Sequence, residues 1–191
     1  SIANAINDIE IAVSSGASHI SWYQLTIEPN TEFFSRPPVL PVDDRLADIQ
    51  QSGLNIIKKN NYSQYEVSAF ARNGQKSRHN VNYWQFGDYL GIGAGAHGKI
   101  TIPEDNQVIR TTKTRQPKDY LNRIGSPLAK KTEISKEDII LEFMMNGLRL
   151  NNGVPTHYLS SRTGLDEKSI KQKVSKSVSY THLRAHETFT D

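Results

Sequence analysis

The chain of 191 residues contains no cysteine. That absence excludes a disulfide framework, a cysteine-ligated zinc site, a catalytic thiol and an iron–sulfur cluster held by this chain alone. No apolar run approaches the roughly 20 residues a membrane-spanning helix needs, and no basic-then-apolar leader opens the sequence. There is no phosphate-loop motif and no legible nucleophile–base pair. No basic helix carries regularly spaced base-reading side chains, so nucleic acid is not an expected partner. A lack of cysteine suits a reducing cytoplasm, the expected compartment, and would suit others too.

What is present is an ordinary folded composition: 36% hydrophobic, 23% charged, mean hydropathy −0.57. The length suffices for one domain, or one and part of a second. A net charge of +3 is mild. It is unevenly spread: Lys99 to Lys136 holds nine Lys/Arg against four Asp/Glu, a local excess of +5. Such a stretch is either a solvated basic face or a surface that meets an anionic ligand or partner.

The sequence begins at Ser1, and Ile2, Ile6, Ile9 and Val13 fall on one helical stripe stopped by Gly16. A helix already under way suggests sequence upstream. Ser18–Ile27 reads as a buried strand rich in β-branched and aromatic residues, with a stiff proline loop at Pro37, Pro38 and Pro41. Asp43 or Asp44 is expected to cap a helix with Leu46, Ile49, Leu54, Ile56 and Ile57 as its apolar positions, closed by Asn60–Asn61. Tyr65–Phe70 reads as a strand, Arg72–Arg78 as a polar loop turning at Asn73–Gly74, Tyr89–Gly98 as a strand of small residues, Gln107–Thr112 as another strand and Pro117–Ile124 as a short helix. The rhythm of helix and strand is that of an α/β protein. A second unit opens near Thr132, with Ser135 as cap and Asp138 three residues on. Val178–Asp191 has no clear period and holds two of the six histidines; it is read as a non-native tail, the other reading being a frayed terminus.

Seven of the sixteen aromatics lie between Tyr62 and Tyr89, a segment that also holds His79, Asn80 and Asn82. An imidazole can ligate haem iron while flat rings cover the porphyrin faces. On composition alone the plainer alternative is the stronger: a loop histidine bonded into a barrel rim, with the aromatics as core. Gly91, Gly93 and Gly95 alternate and would share one face of a strand, open either to a cofactor or to tight packing. The spacing is not that of a dinucleotide fingerprint. His97 ends the run and is more often structural than a ligand. Glu28 and Glu66 are weak acid–base candidates.

Several long runs carry a family resemblance: Ile20–Thr31, Arg36–Pro41, Tyr65–Ala69, His79-Asn80-Val81-Asn82-Tyr83-Trp84, Phe86–Lys99, Arg110–Arg115 and Phe143–Leu150. Together they closely resemble the HemW haem chaperones, relatives of oxygen-independent coproporphyrinogen III oxidase within the radical SAM superfamily. The motif His-Asn-x-x-Tyr-Trp favours the chaperone over the oxidase, which is the alternative. The resemblance implies the later portion of a partial TIM-type (β/α) barrel and its extension over residues 1–131. A truncated helical or winged-helix C-terminal domain would follow over 132–177, with the tail at 178–191. It implies haem as ligand, with His79 on the iron and Asn80, Tyr83 and Trp84 completing the motif. It also implies SAM and a four-iron cluster in a longer parent whose cluster cysteines lie upstream. Gln24 and Thr26 would lie on the strand that passes the SAM nucleoside, and Gly93, Gly95 and His97 would line the barrel mouth. Respiratory haem enzymes would be the acceptors, any peripheral association with the inner membrane would be made through them, and a homodimer of the parent is left open.

Overall fold

The computed structural model describes residues 1–166, 168 and 170; the tail at 178–191 lies outside them. Helix α1 (Ile2–Ser14) starts where the Ser1 hydroxyl accepts the Asn4 N–H at 3.3 Å, meeting one of the orphan donors of a helix start. Its stripe delivers Ile9 to the first core. Strand β1 covers only His19–Ser21, a correction to the longer strand expected over 18–27. A strand lasts as long as its neighbour, and its partner is three residues long: pairing ends at Ser21 opposite Ala69. Beyond it Tyr23 and Leu25 are exposed.

Helix α2 (Glu32–Ser35) is a single turn capped by Thr31. Helix α3 (Asp43–Lys59) corrects a second expectation. Its cap residue is Val42, with no side-chain cap bond, and Asp43 and Asp44 lie in the first turn. There the carboxylates meet the positive end of the helix dipole, and Lys58 and Lys59 meet the negative end. Asn61, at φ 63°, ends the helix. The expected strand over 65–70 is a hairpin: β2 (Ser63–Glu66) and β3 (Ala69–Ala71) flank a turn at Val67–Ser68. The sheet runs β1-β3-β2, antiparallel throughout. Ile9, Ile20, Ile57, Tyr62 and Phe70 form its core. After a polar loop comes helix α4 (Arg78–Trp84).

The described residues form two compact units, Ser1–Val81 with Leu150–Asn152, and Asn82–Arg149 with the residues from Gly153 on. In the second, β4 (His97–Ile102), β5 (Gln107–Lys113) and β6 (Leu128–Glu133) make an antiparallel meander in that order, with α5 (Pro117–Asn122) between the last two strands. Helices α6 (Lys136–Gly147) and α7 (His157–Thr163) follow. Phe86, Val108, Ile139, Phe143 and Leu159 are its core. The segment before β4 is not the strand expected over 89–98: only Tyr89 bridges, to Lys99, and residues 93–95 turn. Gly93 and Gly95 lie at φ 104° and 69°, which a strand excludes.

The chain is thus mixed α/β, and every strand pair among the described residues is antiparallel. Among those residues no helix is long and apolar enough to cross a membrane. The expected cap of α6 is present: the Ser135 hydroxyl accepts the Asp138 N–H at 3.1 Å and donates to its carboxylate at 2.8 Å. Replacing Ser135 by alanine is expected to lower stability by about 1 kcal/mol, read as a shifted urea midpoint at unchanged slope.

Candidate functional site

The residues of the expected haem motif share α4, a helix of seven residues with none buried. The segment is aromatic and polar at once, and its helix is set by what precedes it. The Ser77 hydroxyl accepts the Asn80 N–H at 3.3 Å and the Ser77 carbonyl accepts the Val81 N–H at 2.9 Å, so Ser77 acts as the cap. Ser77 is itself held, since its N–H donates to the Tyr65 hydroxyl at 3.3 Å. That hydroxyl also lies 2.8 Å from His19 Nε2. Burial raises the Tyr65 pKa, with the Ser77 bond opposing, the Glu66 charge adding and a bond from Asn80 opposing. Tyr65 and His19 are therefore the anchors of the helix start. Neither was singled out in sequence, because their roles depend on contacts 12 and 46 residues apart.

His79 is exposed. An axial ligand must present a ring nitrogen to iron, and a ring on the helix surface can do so where one sealed in a core could not. Helical period puts Tyr83 one turn from His79. In the second unit, Tyr83 and Tyr89 have ring centroids 4.3 Å apart. Arg110 donates to the Tyr89 hydroxyl and pairs with Glu142. Burial raises the Tyr89 pKa, against the opposing Arg110 charge. The Arg149 guanidinium lies 4.2 Å from the Trp84 ring, a cation–π contact, and the buried Trp84 Nε1 has no hydrogen-bond partner among the described residues. The two aromatic rings of the motif thus each have a protein neighbour already. The turn that follows is tight: Phe86 has φ 59°, the Gly87 N–H donates to the Asn82 carbonyl at 2.7 Å, and Asn82 Nδ2 donates to the Asp88 carbonyl at 3.0 Å.

The other expected residues lie apart from α4 in sequence. Gln24 and Thr26 are exposed and outside β1. Gln24 stands on the wall of a cleft of about 480 Å³ with Asp43, Leu46, Ala47, Gln50 and Gln51. The Gly93 N–H donates to the Tyr120 hydroxyl at 3.3 Å and the Gly95 N–H to the Thr114 carbonyl at 2.8 Å. His97 is exposed, its Nδ1 3.3 Å from the Thr112 hydroxyl. Glu28 is exposed and Glu66 buried, so they share no common environment. Among the described residues no group of three or more His, Asp or Glu could hold a metal ion, and with no cysteine the chain offers no thiolate to a cluster. The +5 stretch is also not one solvated face. Lys99 is 1% exposed, its Nζ 2.7 Å from Asp88, and Arg110 is taken by Glu142.

Comparison with known proteins extends the resemblance over nearly the whole chain. Residues 134–178 match the HemN C-terminal domain family. The heme chaperone HemW of Escherichia coli strain K12 is 44% identical over 183 residues, 96% of this chain and 48% of the relative. That of Haemophilus influenzae is 43% identical over 95% of this chain and 47% of its own length. The mouse protein named radical S-adenosyl methionine domain-containing protein 1, mitochondrial, is 36% identical over 73% of this chain and 33% of its own length. The chain spans about half the length of the HemW relatives. Among solved structures, coproporphyrinogen III oxidase (HemN) of Escherichia coli, a radical SAM enzyme, superposes with a TM-score of 0.63 at 15% identity, covering 89% of this chain and 42% of that one. That likeness shows a shared fold.

Proposed function

We propose that the chain is the later half of a HemW-type haem chaperone, a protein whose cargo is haem and whose acceptors are respiratory haem enzymes. His79 would ligate the iron of the cargo, with Asn80, Tyr83 and Trp84 shaping its surroundings. The observation that carries this is the exposure of His79 on α4, in a chain 44% identical to a heme chaperone over 96% of its length. The rest of the barrel, the cluster cysteines and the glycine-rich SAM motif would belong to the other half of the parent. In that parent Gln24 and Thr26 would face the SAM nucleoside, and Gly93, Gly95 and His97 the barrel mouth. The domain match beginning at residue 134 supports a boundary near 132 between barrel extension and C-terminal domain. The oxidase alternative has behind it the HemN C-terminal domain match over residues 134–178 and a fold likeness at 15% identity, against 44% identity to a heme chaperone.

The test is a haem titration of the purified chain followed in the Soret region. A bound, shifted band is expected, and His79→Ala is expected to weaken it. Loss of partners that merely orient a metal ligand costs about 10–100-fold in affinity, so loss of the ligand itself should cost at least as much. An unchanged titration in the variant would remove the ligand assignment.

A further inference from the structure

The haem reading leaves the rim of the ring unassigned. Haem is a flat apolar macrocycle with iron at its centre and two propionate carboxylates along one edge, and carboxylates are recognised by cations. From Val67 to Gly87 the sequence has no Asp or Glu, but it has Arg72, Lys76 and Arg78. Arg72 and Lys76 lie in the loop between β3 and α4, and Arg78 is the first residue of α4, next to His79.

Arg72 is committed: its guanidinium lies 4.2 Å from the Tyr62 ring and its Nε donates to the Asn60 carbonyl at 3.0 Å. Lys76 and Arg78 are held less closely: the Lys76 Nζ lies 5.7 Å from the Tyr65 ring, near the outer limit of a cation–π contact. Both are exposed, and among the described residues neither forms an ion pair with a carboxylate. The backbone that carries them is held at both ends. The Arg72 N–H donates to the Ser18 carbonyl at 2.9 Å, and the Ser77 N–H to the Tyr65 hydroxyl at 3.3 Å. Between them, Asn73 and Gly74 both take positive φ, and the Gln75 N–H closes the turn onto the Arg72 carbonyl at 2.9 Å. Cations on a loop already ordered lose less entropy when they bind. A basic face without acids is commonly no more than solvated surface. Here it abuts, in sequence and in the same helix start, the one imidazole assigned to iron.

We propose that Lys76 and Arg78 receive the propionates of the haem whose iron His79 ligates, so that the site selects an anionic metalloporphyrin. This rests on the haem reading above. The test is a pair of Soret titrations in one detergent buffer, with ferric haem and with its dimethyl ester, whose carboxylates are masked. The chain is expected to bind the free acid about tenfold more tightly or better, as for hydrogen bonds to charged groups. A Lys76→Gln/Arg78→Gln variant is expected to bind both forms alike, with the Soret maximum unmoved because His79 is intact. Salt should narrow the wild-type preference. Equal binding of acid and ester by the wild type, or a preference that survives in the variant, overturns the proposal and leaves the haem reading standing. A wild type that gives no Soret shift with either form overturns both. Far-UV circular dichroism on each variant separates lost recognition from lost folding.

Discussion

Replacing Gly91 by alanine is expected to destabilise the β4–β6 unit by roughly 3 kcal/mol or more, at the upper end of what overpacking costs. A Cβ there would lie 2.4 Å from the His97 carbonyl oxygen and 2.6 Å from its carbon. Those are backbone atoms of β4, which no rotamer change can move aside. The approach is enforced by the bridge beside it, in which Tyr89 N–H donates to the Lys99 carbonyl at 3.0 Å and Lys99 N–H to the Tyr89 carbonyl at 2.9 Å. To admit a methyl group, the segment must leave β4 and break that bridge. Gly93→Ala is the control. Nothing lies within 4 Å of its Cβ position, but φ is 104°, so the cost is backbone strain alone, about 1–2 kcal/mol. Urea unfolding of the two variants should rank Gly91→Ala clearly below Gly93→Ala. Equal midpoints would mean that close approach is not why glycine stands at position 91.

The glycines show where reading the sequence runs out. Their alternation suggested one face of a strand, yet Gly91 answers a backbone contact and Gly93 a turn. A spacing of two cannot tell these apart, because each depends on where β4 lies. Features decided within one turn of chain were legible: Ser135 as a cap, Asn60–Asn61 as a stop, the turn at Asn73–Gly74, the strand of β5. Features decided by a distant neighbour were not. The strand beginning at Ser18 looked ten residues long because its residues favour strands, and it pairs over three because β3 is short. For the candidate site, the motif from His79 to Trp84 was legible as a motif, but its helix was not. The hold on that helix comes from Tyr65 and Ser77, and no local pattern marks a tyrosine as an anchor. Lys99 belongs to a stretch whose charge suggested a solvated face or an anion-meeting surface, both of them exposed, since hydropathy places a lysine outside by default.

That lysine gives the other large effect. Lys99 is 1% exposed and Asp88 45%, with Nζ and Oδ1 2.7 Å apart. The Phe86 ring lies 4.3 Å from the ammonium. Asp88 also accepts the Thr101 N–H at 2.9 Å and the Thr101 hydroxyl at 2.8 Å. The two halves of the pair are therefore unequal. Asp88→Ala strands a charge in the interior and frees two donors. Breaking a fully buried pair costs about 3–5 kcal/mol, and since the carboxylate is half in water, about 2–3 kcal/mol is expected here. Lys99→Met places an apolar chain of similar reach against Phe86 and leaves a carboxylate that water can solvate, so a loss below about 1 kcal/mol is expected. The double variant should then be more stable than Asp88→Ala alone, a reversal that a double-mutant cycle in urea reads directly. If Lys99→Met proves the more damaging single change, the burial argument fails. The pH dependence follows from the same contacts. Burial alone would raise the Asp88 pKa, but the bonds from Lys99 and Thr101 outweigh it and hold the carboxyl below its ordinary value. A carboxyl with a depressed folded value supplies stability above the unfolded value and loses it as pH falls through the folded one, so this contribution fades below about pH 4. Burial lowers the Lys99 pKa despite the opposing pull of Asp88. The folded state then holds that proton less firmly than the unfolded chain, and the Lys99 contribution rises with pH on the alkaline side. Wild type should therefore lose stability in acid more steeply than Asp88→Ala.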